Sequence, residues 1–153
     1  MHANPLPMFT TPWFWSSLVA WIVAQAIKMV IALRRTRRLD VRYLVSTGGM
    51  PSAHSALVCA LATSVVLTEG FDRAVTVAAV VLAAVTMFDA AVVRRATGQQ
   101  ARILNQMIDE YFEKHRFPEK RLKELLGHTR LEVFVGMLVG IVCAAIVVAL
   151  SGR

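Results

Sequence analysis

Residues 74–93 read AVTVAAVVLAAVTMFDAAVV. A helix that crosses a bilayer needs roughly 20 predominantly apolar residues. This run has that length, no glycine or proline, and one ionisable group, Asp89. Polar residues do not alternate along it, which argues against a half-buried strand. A membrane-spanning helix is the expectation, with a carboxyl near one end that needs a reason to be there.

Three further runs extend this reading. They cover residues 13–33, 53–68 and 131–150. The first opens on Trp13, Phe14 and Trp15, an aromatic anchor of the kind that sits at a membrane interface. The run at 53–68 is short, so it is either a near-full span or a helix buried among the other three. From 99 to 112, Ile103, Leu104, Met107, Ile108, Tyr111 and Phe112 recur at helical spacing. They predict an amphipathic helix lying at the interface. Pro118 is read as the start of a short second helix that Gly127 ends. The expected fold is therefore an all-α, polytopic membrane helix bundle. It has about four transmembrane helices plus an amphipathic interfacial helix, in one domain over residues 1–153.

Composition agrees. The chain is 56% hydrophobic with a mean hydropathy of +0.55, more apolar than an ordinary soluble domain. The net charge of +7 is concentrated between apolar runs, so it reads as topology and anion binding. No nucleic-acid partner is expected, since such a module carries its cations on a soluble fold. Cys59 and Cys143 lie inside apolar runs, make no CxxC, and read as small buried hydrophobes.

Arg34, Arg35, Arg37, Arg38 and Arg42 separate the first two runs, against one acid, Asp40. Nine Lys and Arg, against five acids, separate the last two. By the positive-inside rule both connections face the cytoplasm, and both termini lie on the other side. The cations follow the first apolar run instead of preceding it, so that run does not read as a signal peptide.

This topology brings every costly polar group to one membrane face: Lys28, Arg34 and Arg35; Ser52 and His54; Asp89, Arg94 and Arg95; His128 and Glu132. In the segment Gly48-Gly49-Met50-Pro51-Ser52-Ala53-His54, glycines allow close backbone approach. Pro51 suits a helix start, and the amides beyond it face an anion. Ser52 either donates to a phosphate or only caps the helix. Lys28 and Arg35, seven apart, share a helix face. They either clamp a phosphate or serve separately, Lys28 by snorkelling to the surface and Arg35 as a topology signal. His128 and Glu132, four apart, also share a face. Glu132 can then orient the imidazole for attack, or it can complete a capping box with Thr129 and do no chemistry. Asp89 either orients a substrate-binding cation or forms a structural ion pair with Lys28, Arg94 or Arg95. Gly136 and Gly140 form a GxxxG pattern. Packing within the bundle is its preferred use, and a homodimer seam is the alternative.

The segments GGMPSAHSAL, DAAVVRRATGQQARILNQ and GHTRLEVFVG resemble the divergent branch of the type-2 phosphatidic acid phosphatase family. That family is related to acid phosphatases and vanadium haloperoxidases. The resemblance covers about residues 24–140. Lys28 and Arg35 match the spacing of its first motif, with Thr36 where the family has proline. Pro51, Ser52 and His54 match its second motif, with Ala53 for glycine. His128 and Glu132 match the end of its third, with Glu for Asp. The arginine of that third motif is not at the family spacing, and Arg94 or Arg95 is expected to fill its role. The family usually has more helices than the four runs counted here.

The resemblance implies an integral membrane lipid phosphate phosphatase. It casts His128 as nucleophile, Glu132 as its orienting partner and His54 as general acid. Lys28, Arg35, Ser52 and Arg94 or Arg95 hold the phosphate. No metal or other cofactor is required. Vanadate is expected to inhibit, and membrane lipids surround the protein. Substrate candidates are phosphatidylglycerophosphate, phosphatidate and polyprenyl diphosphate, at a bacterial inner membrane. The competing expectation is a non-catalytic lipid-phosphate binder or small transporter. Peroxide chemistry on bound vanadate is a remote third.

Overall fold

The computed structural model describes residues 6–37, 49–112 and 129–152. Helix α1 runs Pro12–Thr36, α2 Ala53–Glu69, α3 Ala74–Phe88, α4 Arg94–Phe112 and α5 Arg130–Leu150. Among the described residues there is no strand. This is the all-α bundle that the apolar runs imply. In lipid each backbone amide must find its partner within its own segment, so a long apolar run becomes a helix.

Among the described residues three stretches have the length and apolarity to cross a membrane: Pro12–Arg34, Ala74–Ile108 and Arg130–Leu150. Helix α2 has 17 residues, about 26 Å at 1.5 Å per residue, slightly less than the hydrocarbon core of roughly 30 Å. It is the short apolar helix among the three, and it packs against α1, α3 and α5.

The third run differs from expectation. It does not end at Val93 with a separate amphipathic helix beginning at Gln99. Instead, α3 passes through one π-helical segment, Asp89–Val93, directly into α4. Arg94 and Arg95 are good helix formers, and Gly98 inside a helix costs only about 1 kcal/mol. Nothing there stops the helix. The amphipathic pattern persists on α4, where Ile103, Leu104 and Met107 are exposed and Asn105 is buried. The second helix expected from Pro118 lies outside the described residues.

Direction follows from three contacts. Trp13 Nε1–H donates to Thr68 Oγ1 at 2.7 Å, joining the start of α1 to the end of α2, so these helices are antiparallel. Thr76 Oγ1 donates to the Gly70 carbonyl at 2.7 Å and closes the tight α2–α3 turn. Helix α5 runs parallel to α2. Gly136 lies against Ser52 and Ser55, and Gly140 against Ala56 and Ala60. The GxxxG pattern is thus used within the bundle.

Small residues make these contacts. Ala20 and Ala24 of α1, Ala53, Ala56 and Ala60 of α2, and Cys143 and Ala144 of α5 form one buried seam. Lipid tails are as apolar as leucine, so helices associate in a membrane through close packing, and small side chains permit it. Helix α3 meets the other flank of α2 through Ala79 and Ala83, against Val58, Cys59, Ala62 and Val65. Its valines 77, 80, 81 and 85 face outward.

Candidate anion site

Because α2 and α5 are parallel neighbours, their N-termini lie together at one end of the bundle. The Ser52 backbone N–H donates to the Glu132 carbonyl at 3.0 Å, which ties the two starts side by side. Each start presents amides without intrahelical partners and a partial positive charge. Two such ends together favour an anion more than one does.

Helix α1 brings Lys28 to the same place. Lys28 is 5% exposed, far too buried for a side chain that snorkels along its helix to the surface. Gly49 lies over its aliphatic stem, where a Cβ would fall 3.6 Å from Lys28 Cγ. Gly49 has φ +96, in the left-handed region that glycine enters without strain. The Lys28 ammonium and the Glu132 carboxylate attract one another. The buried Lys28 of α1 therefore lies within electrostatic reach of the first turn of α5.

Ser52 is the N-cap of α2 and is fully buried. Its Oγ accepts from the Ser55 N–H at 3.3 Å and from the Ser55 hydroxyl at 3.0 Å. Ala53, at the first helical position, is 2% exposed. His54 follows in the first turn and is exposed at that end of the bundle.

Both elements of the capping box, one of the two alternatives read for Glu132, are present at α5. Thr129 N–H donates to Glu132 Oε2 at 3.0 Å, and Glu132 N–H donates to Thr129 Oγ1 at 3.3 Å. Glu132 thus serves the helix start and Lys28 together. Thr129→Ala is expected to cost about 1 kcal/mol, the usual worth of a lost cap. It should appear as a modest fall in the Tm of the detergent-solubilised protein.

The π segment reaches the same end. Asp89, partly buried, begins it, and the segment touches α5. Single π turns inside α-helices often mark functional sites. A groove of about 310 Å³ lies beside it, lined by Ala91, Val92, Ala96, Gln99 and Arg130.

Of the residues the sequence singled out, Lys28, Ser52 and Glu132 are brought together, with His54 in the adjoining turn. Arg35 falls in the last turn of α1, and Arg94 and Arg95 open α4; their side chains are not among those described. His128, directly before Thr129 in the chain, lies outside the described residues. Sequence reasoning missed Ser55 and the covering role of Gly49. The serine at the third position after a Ser N-cap was the available signal for the first. Nothing local signals the second, since residues 28 and 49 meet only in the tertiary fold.

Residues 9–143 match the family described as the divergent PAP2 family. An uncharacterised membrane protein of Bacillus subtilis (strain 168), YuiD, is 45% identical over 137 residues, covering 82% of this chain and 87% of the relative. No solved structure matches.

Proposed function

Because this chain belongs to the divergent PAP2 family, we propose that it is an integral membrane phosphatase acting on a lipid phosphomonoester or diphosphate. The observation that carries this reading is the meeting of two parallel helix N-termini with the buried Lys28 at one end of the bundle. A tetrahedral dianion is the kind of ligand such a site suits.

In this reading an imidazole nitrogen of His128 attacks phosphorus. The bond to the leaving lipid oxygen breaks as His54 delivers a proton to it. Water then attacks the phosphohistidine, releasing inorganic phosphate and restoring the free imidazole. Lys28, Ser52, Arg35 and Arg94 or Arg95 hold the non-bridging oxygens, where charge develops in the transition state. Asp89 orients one of these cations. The scheme uses no metal.

The test is phosphate release by purified wild type and His128→Ala from phosphatidylglycerophosphate, phosphatidate and polyprenyl diphosphate, with a chelator present. Release by the wild type alone supports the scheme. Equal release by both proteins removes His128 from it.

One observation favours a second reading. Glu132 is already engaged by its capping box, as it would be in a lipid-phosphate binder with no catalysis. A binder needs its cations and tolerates His128→Ala; the phosphatase does not.

The basic stretches that follow α1 and the π segment leave those helices at the site's end of the bundle. By the positive-inside rule that end faces the cytoplasm, which favours a lipid made on the inner leaflet. A reporter active only outside the cytoplasm is expected to be silent when fused after Asp40 and active when fused after Asp72. The reverse pattern overturns this orientation.

A further inference from the structure

The two buried hydroxyls at the start of α2 hold more protons than their neighbours accept. Ser52 and Ser55 are both fully buried. Between them run one hydroxyl–hydroxyl bond, from Ser55 to Ser52 at 3.0 Å, and one amide–hydroxyl bond, from Ser55 N–H to Ser52 Oγ at 3.3 Å. Neither side chain has a further partner among the described residues. A hydroxyl has two lone pairs and one proton. When Ser55 is the donor of the 3.0 Å hydroxyl pair, both lone pairs of Ser52 are taken, and the Ser52 proton is its one remaining capacity. Left unpaired in a buried place, such a donor is costly. An anion at the N-terminus of the helix would accept it.

Helix α5 restrains this pair. A Cβ at Gly136 would lie 3.1 Å from Ser55 Cβ, so the bare backbone of α5 walls in Ser55. Ser55 is therefore confined beside Ser52, one helical turn in from the cap.

We propose that Ser55 is a positioning residue. It saturates the lone pairs of Ser52, so that the Ser52 hydroxyl meets the bound phosphate only as a donor. Ser55 itself does not touch the ligand. This inference rests on the anion-site reading of the same pocket. Its energetic logic is preorganisation: a hydroxyl already turned to donate need not reorient when the anion arrives.

The experiment is a double-mutant cycle on the full-length protein in detergent. The probe is inorganic phosphate, and its apparent Kd is read from the phosphate dependence of Tm. Ser55→Ala is expected to weaken phosphate roughly fivefold to tenfold, as for one misaligned hydrogen bond to a charged group. Its phosphate-free Tm should stay near that of the wild type, because alanine fits an alanine-rich seam. Ser55→Cys is slightly larger but donates weakly, and should behave like Ser55→Ala in phosphate affinity. Ser52→Ala should weaken phosphate by at least as much. In the Ser52→Ala background, Ser55→Ala should change nothing further.

That loss of additivity supports a role exerted through Ser52. Additive losses would place Ser55 in direct contact with the anion and overturn the proposal. Unchanged affinity in Ser55→Ala or Ser55→Cys overturns it too, while leaving the anion site standing. A wild type whose Tm ignores phosphate removes both.

Discussion

His128→Ala is expected to lower phosphate release from the preferred lipid by about 10⁴-fold or more while leaving lipid-phosphate binding within roughly tenfold of the wild type. In the proposed scheme His128 forms a covalent bond to phosphorus, so its loss removes the reaction path. In the same scheme the groups that hold the phosphate are elsewhere: Lys28 on α1, Ser52 and the first amides of α2, and the start of α5. They still attract the dianion. A residue that only stabilises developing charge is worth less; losing one such donor typically costs about 10²–10³ in kcat. The gap between kcat and binding separates a nucleophile from a binding residue. Trapping gives a second check. Wild type mixed with labelled substrate and denatured in base should retain a phosphoryl group that acid removes, as a phosphohistidine does. The variant should retain none. A variant that turns over at the wild-type rate would sink histidine catalysis here, whatever it did to affinity.

The second large effect is on assembly. Gly136→Ala is expected to destabilise the bundle by about 3 kcal/mol, at the upper end of the usual cost of overpacking. That corresponds to a fall in Tm of roughly 10 °C for a chain of this size. A Cβ at Gly136 would fall on the Ser52 carbonyl oxygen, with the Ser52 carbonyl carbon 3.2 Å away. At Gly140 it would fall on the Ala56 carbonyl oxygen, 2.9 Å from the Ala60 nitrogen. These obstacles are backbone, so no rotamer change relieves them. Helix α5 would have to withdraw from α2 along the seam that holds Ala20, Ala24 and Ala144. The withdrawal would also break the bond from Ser52 N–H to the Glu132 carbonyl, separating the two helix starts. Phosphate affinity should therefore fall with stability. Ala84→Leu, on the exposed side of α3, is the control and should leave Tm unchanged. A Gly136→Ala protein as stable as the wild type would mean that the two helices do not approach this closely.

The sequence by itself determined the helices. The expected runs at 13–33, 53–68 and 131–150 compare with helices at Pro12–Thr36, Ala53–Glu69 and Arg130–Leu150. An unbroken apolar stretch in lipid has one way to satisfy its amides, so its length alone marks its ends. The Thr129–Glu132 capping box was legible for a similar reason, since both partners lie within one turn. The placement of Lys28, Ser52 and Glu132 at one end was legible too, because it follows from alternating the direction of successive spans.

Only the tertiary structure decided which faces meet. In water, a helix shows its core side through amphipathic periodicity. Helices α2, α3 and α5 are apolar all round, so their sequences do not say which stripe faces protein and which faces lipid. The parallel docking of α5 on α2 comes from Gly136 and Gly140, and GxxxG serves a partner in the bundle or a second copy equally well. The burial of Lys28 under Gly49 and its attraction to Glu132 join residues from three separate elements. The Ser52–Ser55 couple became meaningful once both hydroxyls proved fully buried. In the proposed reading burial turns an ordinary helix cap into a donor that needs an anion, and burial is a property of the packed bundle.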